Sequence, residues 1–434
     1  MPQLQVEPID PLHPPLYEEY EAHELGLPQH STSLPPPDGS GRRFLFPANH
    51  MWGIGFNNVL QEHLLLAQVA YLANWTFVFN PYTWHWDPNE PYGDYGGKPV
   101  PSRIPWHAFL QGPLVGDTFP DGYTHPRAVR KEFFKEICPQ PEIINSSVVG
   151  IHFQENYPAA MEITNAWVDY LQTLDNPCIE INGWSPHIFD VGAFMTPRIS
   201  TIFDSLMHSP LLRNLEWSSL VESVISMNIH LLRPKLTRLQ RIWASFARFL
   251  GPQADDTPST TSFPGLLAMH VRRGDYEVHC YALEELMAPM QGWYTLPGIP
   301  DRFVPPPGNK TEEQHKYFRD HCWPTIDQMV NKIRDVRATK EGAGLNSVYI
   351  MTNGNPTYVA ALEKAISELG GFKVISSSRD MVWTPEGKYI SQAVDMAIAN
   401  RAQIFIGNGF SSLSSNVVLM RFKDDMPPGS NRMW

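Results

Sequence analysis

The hydrophobic positions of this chain fall into two regimes. Between residues 44 and 79 a helical spacing runs into a short apolar segment. Val59, Leu60, His63, Leu64, Ala67 and Tyr71 recur at helical intervals up to Ala73, and Trp75-Thr76-Phe77-Val78-Phe79 then reads as a strand. From residue 266 the pattern alternates. Apolar runs at 266–271, 347–351, 372–376 and 403–407 predict strands, and the stretches 324–338, 356–369, 390–401 and 414–422 predict helices between and after them. Strands joined through helices by short links predict an α/β fold, a Rossmann-like parallel sheet with right-handed crossovers. Residues 146–251 read as mostly helical. Within them 221–250 is broken at Pro234, and Arg233, Lys235, Arg238, Arg241 and Arg248 read as a solvated face.

The breaks divide the chain. Its 434 residues exceed one ordinary core, at roughly 150 residues per domain. Asp255-Asp256-Thr257-Pro258-Ser259-Thr260-Thr261-Ser262 interrupts the pattern, which sets a boundary between 44–251 and 252–434. Residues 1–43 have little periodicity and contain Leu34-Pro35-Pro36-Pro37-Asp38-Gly39-Ser40-Gly41, so a flexible Pro-rich stem is expected there. Residues 80–135 are rich in Trp, Tyr, Pro and Gly. Trp84, Trp86, Tyr92 and Tyr95 lie close together and could line a sugar or peptide groove, or pack an irregular lid.

Three turns carry candidate chemistry. The 266–271 run ends in His270-Val271-Arg272-Arg273-Gly274-Asp275. Two guanidiniums at the mouth of a buried strand are costly unless an anion meets them, and the guanidinium fork suits phosphate oxygens. The alternative is an Arg–Asp pair that orders a loop. Met51-Trp52-Gly53-Ile54-Gly55-Phe56-Asn57-Asn58 precedes the long helix, so glycines and amides meet a helix start. A tight turn is the plainer reading, and Glu62, one turn in, is expected to face solvent. Gly407-Asn408-Gly409-Phe410-Ser411-Ser412-Leu413-Ser414-Ser415-Asn416 follows the last strand. Its glycines free the backbone, and its serines supply hydroxyl and N–H donors, either for a phosphate or simply as an N-cap.

Composition narrows the field. A net charge of −12 argues against a nucleic-acid surface. No run of about 18 apolar residues exists, so no membrane span is expected. Either the protein is cytosolic or an N-terminal anchor has been trimmed. Four cysteines (Cys138, Cys178, Cys280, Cys322) allow two disulfides in three pairings. A Cys280–Cys322 bridge would close the Pro-containing insert 276–321. Sequons at Asn74, Asn145 and Asn309 point weakly to the same oxidising compartment. No Asp-x-Asp triplet occurs, which disfavours a manganese-dependent GT-A transferase.

In combination and in this order, the three turns resemble those of the GDP-fucose-dependent fucosyltransferases, protein O-fucosyltransferases and their α-1,6-fucosyltransferase relatives alike. The likeness is strongest to the O-fucosyltransferase-like proteins of fungi and covers roughly 45–424. It implies a GT-B fold, two Rossmann-like domains facing across a cleft, and inverting transfer of fucose from GDP-fucose to a protein or glycan acceptor, with no metal and no cofactor. By position Arg272 would hold the β-phosphate and stabilise the leaving group, supported by Arg273 and Asp275. His270 and Asp395 would meet guanine or ribose, and Ser411 and Ser412 the phosphates. Gly53, Gly55, Asn57 and Asn58 would lie across the cleft near phosphate and fucose, on the acceptor-side domain. Ile54 departs from relatives that carry a Glu between the glycines as the proposed base. The alternatives are a transferase for another GDP-sugar and a non-catalytic GDP-sugar or glycan binder. The resemblance implies the secretory lumen, ER or Golgi.

Overall fold

The computed structural model describes residues 9–150, 158–234 and 262–434. Two five-stranded parallel sheets organise it. In the first, the strands run in the spatial order Val129–Arg130, Thr76–Phe79, Phe44–Pro47, Cys178–Ile181, Glu142–Ile144. Successive side chains of a strand point to opposite faces. Leu45, Phe77, Phe79, Ile179 and Ile181 therefore join one apolar cluster, while Phe44, Phe46 and Val78 join another with Phe133 and Phe134. Both faces are covered, as a parallel sheet requires.

The second sheet has the order Val374–Ser377, Ser347–Thr352, Phe263–Val271, Ala402–Gly407, Asn431–Met433, again all parallel. Its centre is the strand that carries the Arg pair. Leu266 and Ala268 face one cluster; Leu267, Met269 and Val271 face the other. The helices Ile326–Arg337, Pro356–Glu368, Ser391–Arg401 and Ser412–Lys423 agree with the expected alternation to within a few residues.

Three expectations are corrected. The strand Cys178–Ile181 lies inside the stretch read as helical and sits beside the central strand of the first sheet. Four residues are too short to compete with a helical pattern, although Ile179 and Ile181 are buried and Glu180 pairs outward with Lys135. The N-terminal segment is not a flexible stem over residues 9–43. A helix, Glu18–Leu25, forms there, and Tyr17 is buried and donates to the Glu386 carbonyl at 2.6 Å. Gln29 donates to the Gly116 and Ala128 carbonyls at 2.7 Å each, and Asp38 pairs with Arg127. Few apolar residues anchor this strap; buried polar partners do the rest. Arg233 is not simply solvated: it is partly covered, with its guanidinium 5.0 Å over the Phe263 ring. Lys235, Arg238, Arg241, Arg248 and the 251/252 boundary lie outside the described residues.

The disulfides are Cys138–Cys178 and Cys280–Cys322, the second closing the 276–321 insert as expected. That insert contributes two helices, Tyr276–Glu285 and Glu312–Cys322. One buried cluster extends through both halves of the chain. The helix Phe56–Ala73 packs on Ser412–Lys423, and Ser219–Met227 packs on Ser391–Arg401. Among the described residues, no helix is long and apolar enough to cross a membrane.

Candidate functional site

Strand order locates the site. In the second sheet the chain lays its strands outward on one side of Phe263–Val271 and then returns to place Ala402–Gly407 on the other. Ligands of open α/β sheets bind at such a reversal, off the carboxyl ends of the strands. His270–Asp275 and 408–412 leave those ends side by side. The first sheet reverses in the same way between Phe44–Pro47 and Cys178–Ile181, and the turn that leaves the first of these strands contains Gly53 and Gly55.

The two adjacent arginines do different jobs. Arg273 is buried. Its guanidinium lies 4.3 Å over the Trp323 ring and 4.8 Å from the Tyr358 ring, and it donates to the Pro324 and Arg272 carbonyls. Burial pulls its pKa below the usual value. Asn353 fixes the backbone around it, accepting from the Arg273 amide at 2.7 Å and donating to the Arg273 carbonyl at 2.7 Å and to Asp275 at 3.0 Å. Gly274 adopts φ +65° in the turn, a conformation that suits glycine. Arg272 is partly open, and among the described residues its side chain pairs with the exposed Asp275 carboxylate at 3.1 Å and lies 5.6 Å from the Tyr276 ring. The loop-ordering pair of the plainer reading is thus present, yet it occupies one edge of a guanidinium that offers five N–H donors.

The serine turn is welded to the same place. Ser414 Oγ accepts from the Asn408 amide at 3.0 Å and lies 2.8 Å from His270 Nδ1. Burial and the neighbouring Arg272 charge push the His270 pKa down to about 3, so the ring is neutral at physiological pH. The glycines of this turn serve close packing, which corrects the expectation that they free the backbone. A Cβ on Gly407 would sit 1.8 Å from the Tyr294 hydroxyl, and one on Gly409 would sit 2.2 Å from Met290 Sδ. Ser411 caps the helix Ser412–Lys423 without a side-chain cap bond, and the hydroxyls of Ser411 and Ser412 have no partner among the described residues. The open amides of that helix start form an anion-suited end.

The glycine turn is held from below. Gly53 has φ +68° and its amide donates to the Thr83 carbonyl at 3.0 Å. Gly55 precedes the helix Phe56–Ala73, and a Cβ there would meet nothing. Asn57 is buried, and both its backbone carbonyl and its Oδ1 accept from Asn416 Nδ2 at 2.9 Å. Asn58 is partly exposed, and its side chain has no hydrogen bond among the described residues. Glu62 does not face solvent as expected. It is buried, accepts from the Met51 amide at 2.5 Å, and lies 3.3 Å from His187 Nδ1. Burial raises its pKa, and the bond to Glu62 raises that of His187. The helix points this residue inward because the apolar stripe around it wraps most of the helix circumference.

Asp395 sits on the helix Ser391–Arg401 with its oxygens accepting from Tyr349 at 2.6 Å and Ser378 at 3.2 Å. Burial lifts its pKa to about 7. Of the four loop aromatics, Trp86 and Tyr95 are exposed, and Trp84 packs edge-on against Tyr95 at 5.3 Å. Sequence reasoning missed Asn353, Ser414 and Asn416. Ser414 and Asn416 were in view as parts of the serine turn, but only the spatial neighbours single them out; Asn353 stands in a turn signal, Asn353-Gly354-Asn355-Pro356, that carried no chemical hint.

Comparison with known proteins gives a family. The family model described as GDP-fucose protein O-fucosyltransferase matches residues 184–422, a span that holds the arginine and serine turns but not the glycine turn. A search of curated proteins found no match. Among solved structures, POFUT1 in complex with GDP-fucose is similar at 14% identity and TM-score 0.47, over 90% of this chain and 96% of that one. POFUT1 in complex with GDP gives 14% and 0.46 over 90% and 98%, and its apo form gives 15% and 0.43 over 93% and 99%.

Proposed function

Because the chain belongs to the GDP-fucose protein O-fucosyltransferase family, we propose that it transfers fucose from GDP-fucose to a hydroxyl of a protein or glycan acceptor, with inversion and without a metal at the reacting centre. The observation that carries this reading is convergence. Turns some 140 and 360 residues apart in sequence meet through His270–Ser414 at 2.8 Å and Asn57–Asn416 at 2.9 Å. On this reading the fold is GT-B: Rossmann-like units over 44–251 and 252–434 face across a cleft, the second holding the nucleotide and the first the acceptor.

Inverting transfer needs charge stabilisation on the departing diphosphate and a hydroxyl positioned on the opposite face of the sugar. Arg272 supplies the first, as the cation of its turn with free donors; fixed charge aimed at developing charge is usually the largest catalytic term. Ser411, Ser412 and the amides beside them bind phosphate oxygens. Asp395 and neutral His270 sit toward the nucleoside. Gly53, Gly55 and Asn58 border the sugar, with open space at Gly55 for it. Arg273 and Asp275 hold the turn. Ile54 cannot take a proton, and Glu62 is already engaged with Met51 and His187. The acceptor proton therefore leaves by another route, and Ile54 is the one feature that favours the second reading, a GDP-sugar binder without transfer. A transferase for another GDP-sugar shares every phosphate contact. Two disulfides fit an oxidising compartment and support a secretory-lumen location.

Calorimetric titration with GDP-fucose, GDP and GDP-mannose in chelator, beside a donor-hydrolysis assay, tests the reading. GDP binding with fucose-selective hydrolysis is expected. GDP binding without turnover of any donor would select the binder; no GDP binding would overturn the site.

A further inference from the structure

His23, His107 and Asp117 meet where the N-terminal helix Glu18–Leu25 lies against the short turns Trp106–Ala108 and Pro113–Val115, among residues to which the donor site gives no role. One ligand atom from each residue lies within 4.8 Å of the others. His107 Nε2 and Asp117 Oδ1 are 3.2 Å apart. At ordinary zinc–ligand distances of about 2.0–2.2 Å, two corners of a tetrahedron are separated by about 3.4 Å. The pair already has the spacing of two ligands of one ion. The His23 and His107 rings stand edge to face with centroids 4.6 Å apart, so little movement brings the third donor in.

The groups behind these ligands are also set. His107 Nδ1 lies 3.2 Å from Glu24 Oε1, and Glu24 is fully buried and fixed further by Arg130 and the His107 amide. A carboxylate on the far nitrogen of a histidine fixes its tautomer and orients it on a metal. Asp117 Oδ2 accepts from the Gly112 amide at 2.7 Å, which turns Oδ1 toward His107 as the oxygen that would meet the ion. Two imidazoles with one carboxylate suit zinc and its neighbours rather than calcium or magnesium, which take oxygen ligands.

We propose that His23, His107 and Asp117 bind one divalent transition ion of the zinc class, with Glu24 orienting His107 and water completing a tetrahedron, and that the ion clamps the N-terminal helix to the first sheet's loops. In the ion-free molecule a proton bridges His107 and Asp117 where the metal would sit. The clamp is structural and does not depend on the fucosyltransferase reading.

The test uses the full chain, stripped with chelator and exchanged into chelator-free buffer, titrated calorimetrically with zinc chloride and melted with and without it. One saturable site per chain and a raised melting temperature are expected. H23Q should weaken zinc binding at least tenfold while melting like the parent without metal, since His23 is exposed and its ring has no hydrogen bond among the described residues. H208Q, at another exposed histidine, should bind as the parent does. Absence of zinc binding to the parent would overturn the proposal, and so would equal affinity in H23Q, which would place the ion elsewhere. A magnesium titration is expected to give no saturable heat; binding magnesium as tightly as zinc would contradict the nitrogen-ligand assignment.

Discussion

The turns above the two sheets differ in how their polar groups are spent. Above the second sheet, Arg273, Asn353, Asn408 and Ser414 are consumed in bracing the backbone, and what remains free is a partly open Arg272, two serine hydroxyls and a helix start. Above the first sheet, Asn57 is spent on Asn416 and Glu62 on Met51 and His187, and what remains is space: the open side of Gly55, with Trp52 half exposed beside it. One region offers fixed positive charge, the other a rigid empty frame. A transferase needs that division, because the diphosphate must be gripped while the sugar and its incoming hydroxyl need room.

The sharpest way to break the comparison is to separate the two arginines. Arg272→Ala should lower turnover by about 10²–10³-fold, the range seen when one donor to developing negative charge is removed. Its melting temperature should stay that of the parent. Arg273→Ala should do the reverse. It deletes two cation–π contacts and a charged donor to buried carbonyls, at a cost of about 2–4 kcal/mol in urea unfolding. An Arg273→Ala protein of parental stability with lost turnover would show that both guanidiniums serve the anion.

Glycines sharpen the same contrast. Gly407→Ala should cost about 1–3 kcal/mol, since its Cβ would fall 1.8 Å from the Tyr294 hydroxyl in a packed core. Gly55→Ala should change stability by less than about 1 kcal/mol, because its φ of −57° suits any residue and its Cβ meets nothing. Its effect should appear in KM for the donor. Asn416→Ala tests the link between the regions. It leaves the buried Asn57 Oδ1 unpaired, for about 1–3 kcal/mol, and should raise KM by loosening the glycine turn against the serine turn.

The second sheet was largely legible in the sequence, because four apolar runs separated by helices of ordinary length leave few topologies open. Of the first sheet, the helix Phe56–Ala73 and the strand Thr76–Phe79 were legible and the other strands were not. Those other strands are two to four residues long and Cys178–Ile181 hides among helices, so neither period emerges in them. The site was legible as residue types at strand ends and illegible as a division of labour. Nothing in His270-Val271-Arg272-Arg273 says which guanidinium is free; the answer lies in Trp323 and Tyr358, some 50 and 85 residues away. The strap of residues 9–43 was misread for a related reason. Its attachment rests on Tyr17, Glu24 and Gln29, isolated residues whose partners are distant in sequence.

Each region also holds a carboxyl whose pKa burial raises, and the two should respond differently to pH. Glu62 faces an imidazole and an amide, whereas among the described residues Asp395 accepts hydrogen bonds from the hydroxyls of Tyr349 and Ser378 alone. Burial lifts the folded-state pKa of Asp395 from 3.8 to about 7. Between those values the folded protein keeps a proton that the unfolded chain has lost, so this group makes stability fall as pH rises from about 4 to 7 and contributes no slope above that range. Asp395→Asn keeps the two hydroxyl contacts and cannot ionise. Urea unfolding at pH 5 and pH 7.5 should show a smaller loss of stability for this variant than for the parent. An unchanged difference would mean that Asp395 is already ionised at pH 5 and faces solvent or a ligand cleft rather than the interior. Saturating GDP adds a second reading: if Asp395 meets the nucleoside, the parent's difference between the two pH values should shift on binding and that of the variant should not.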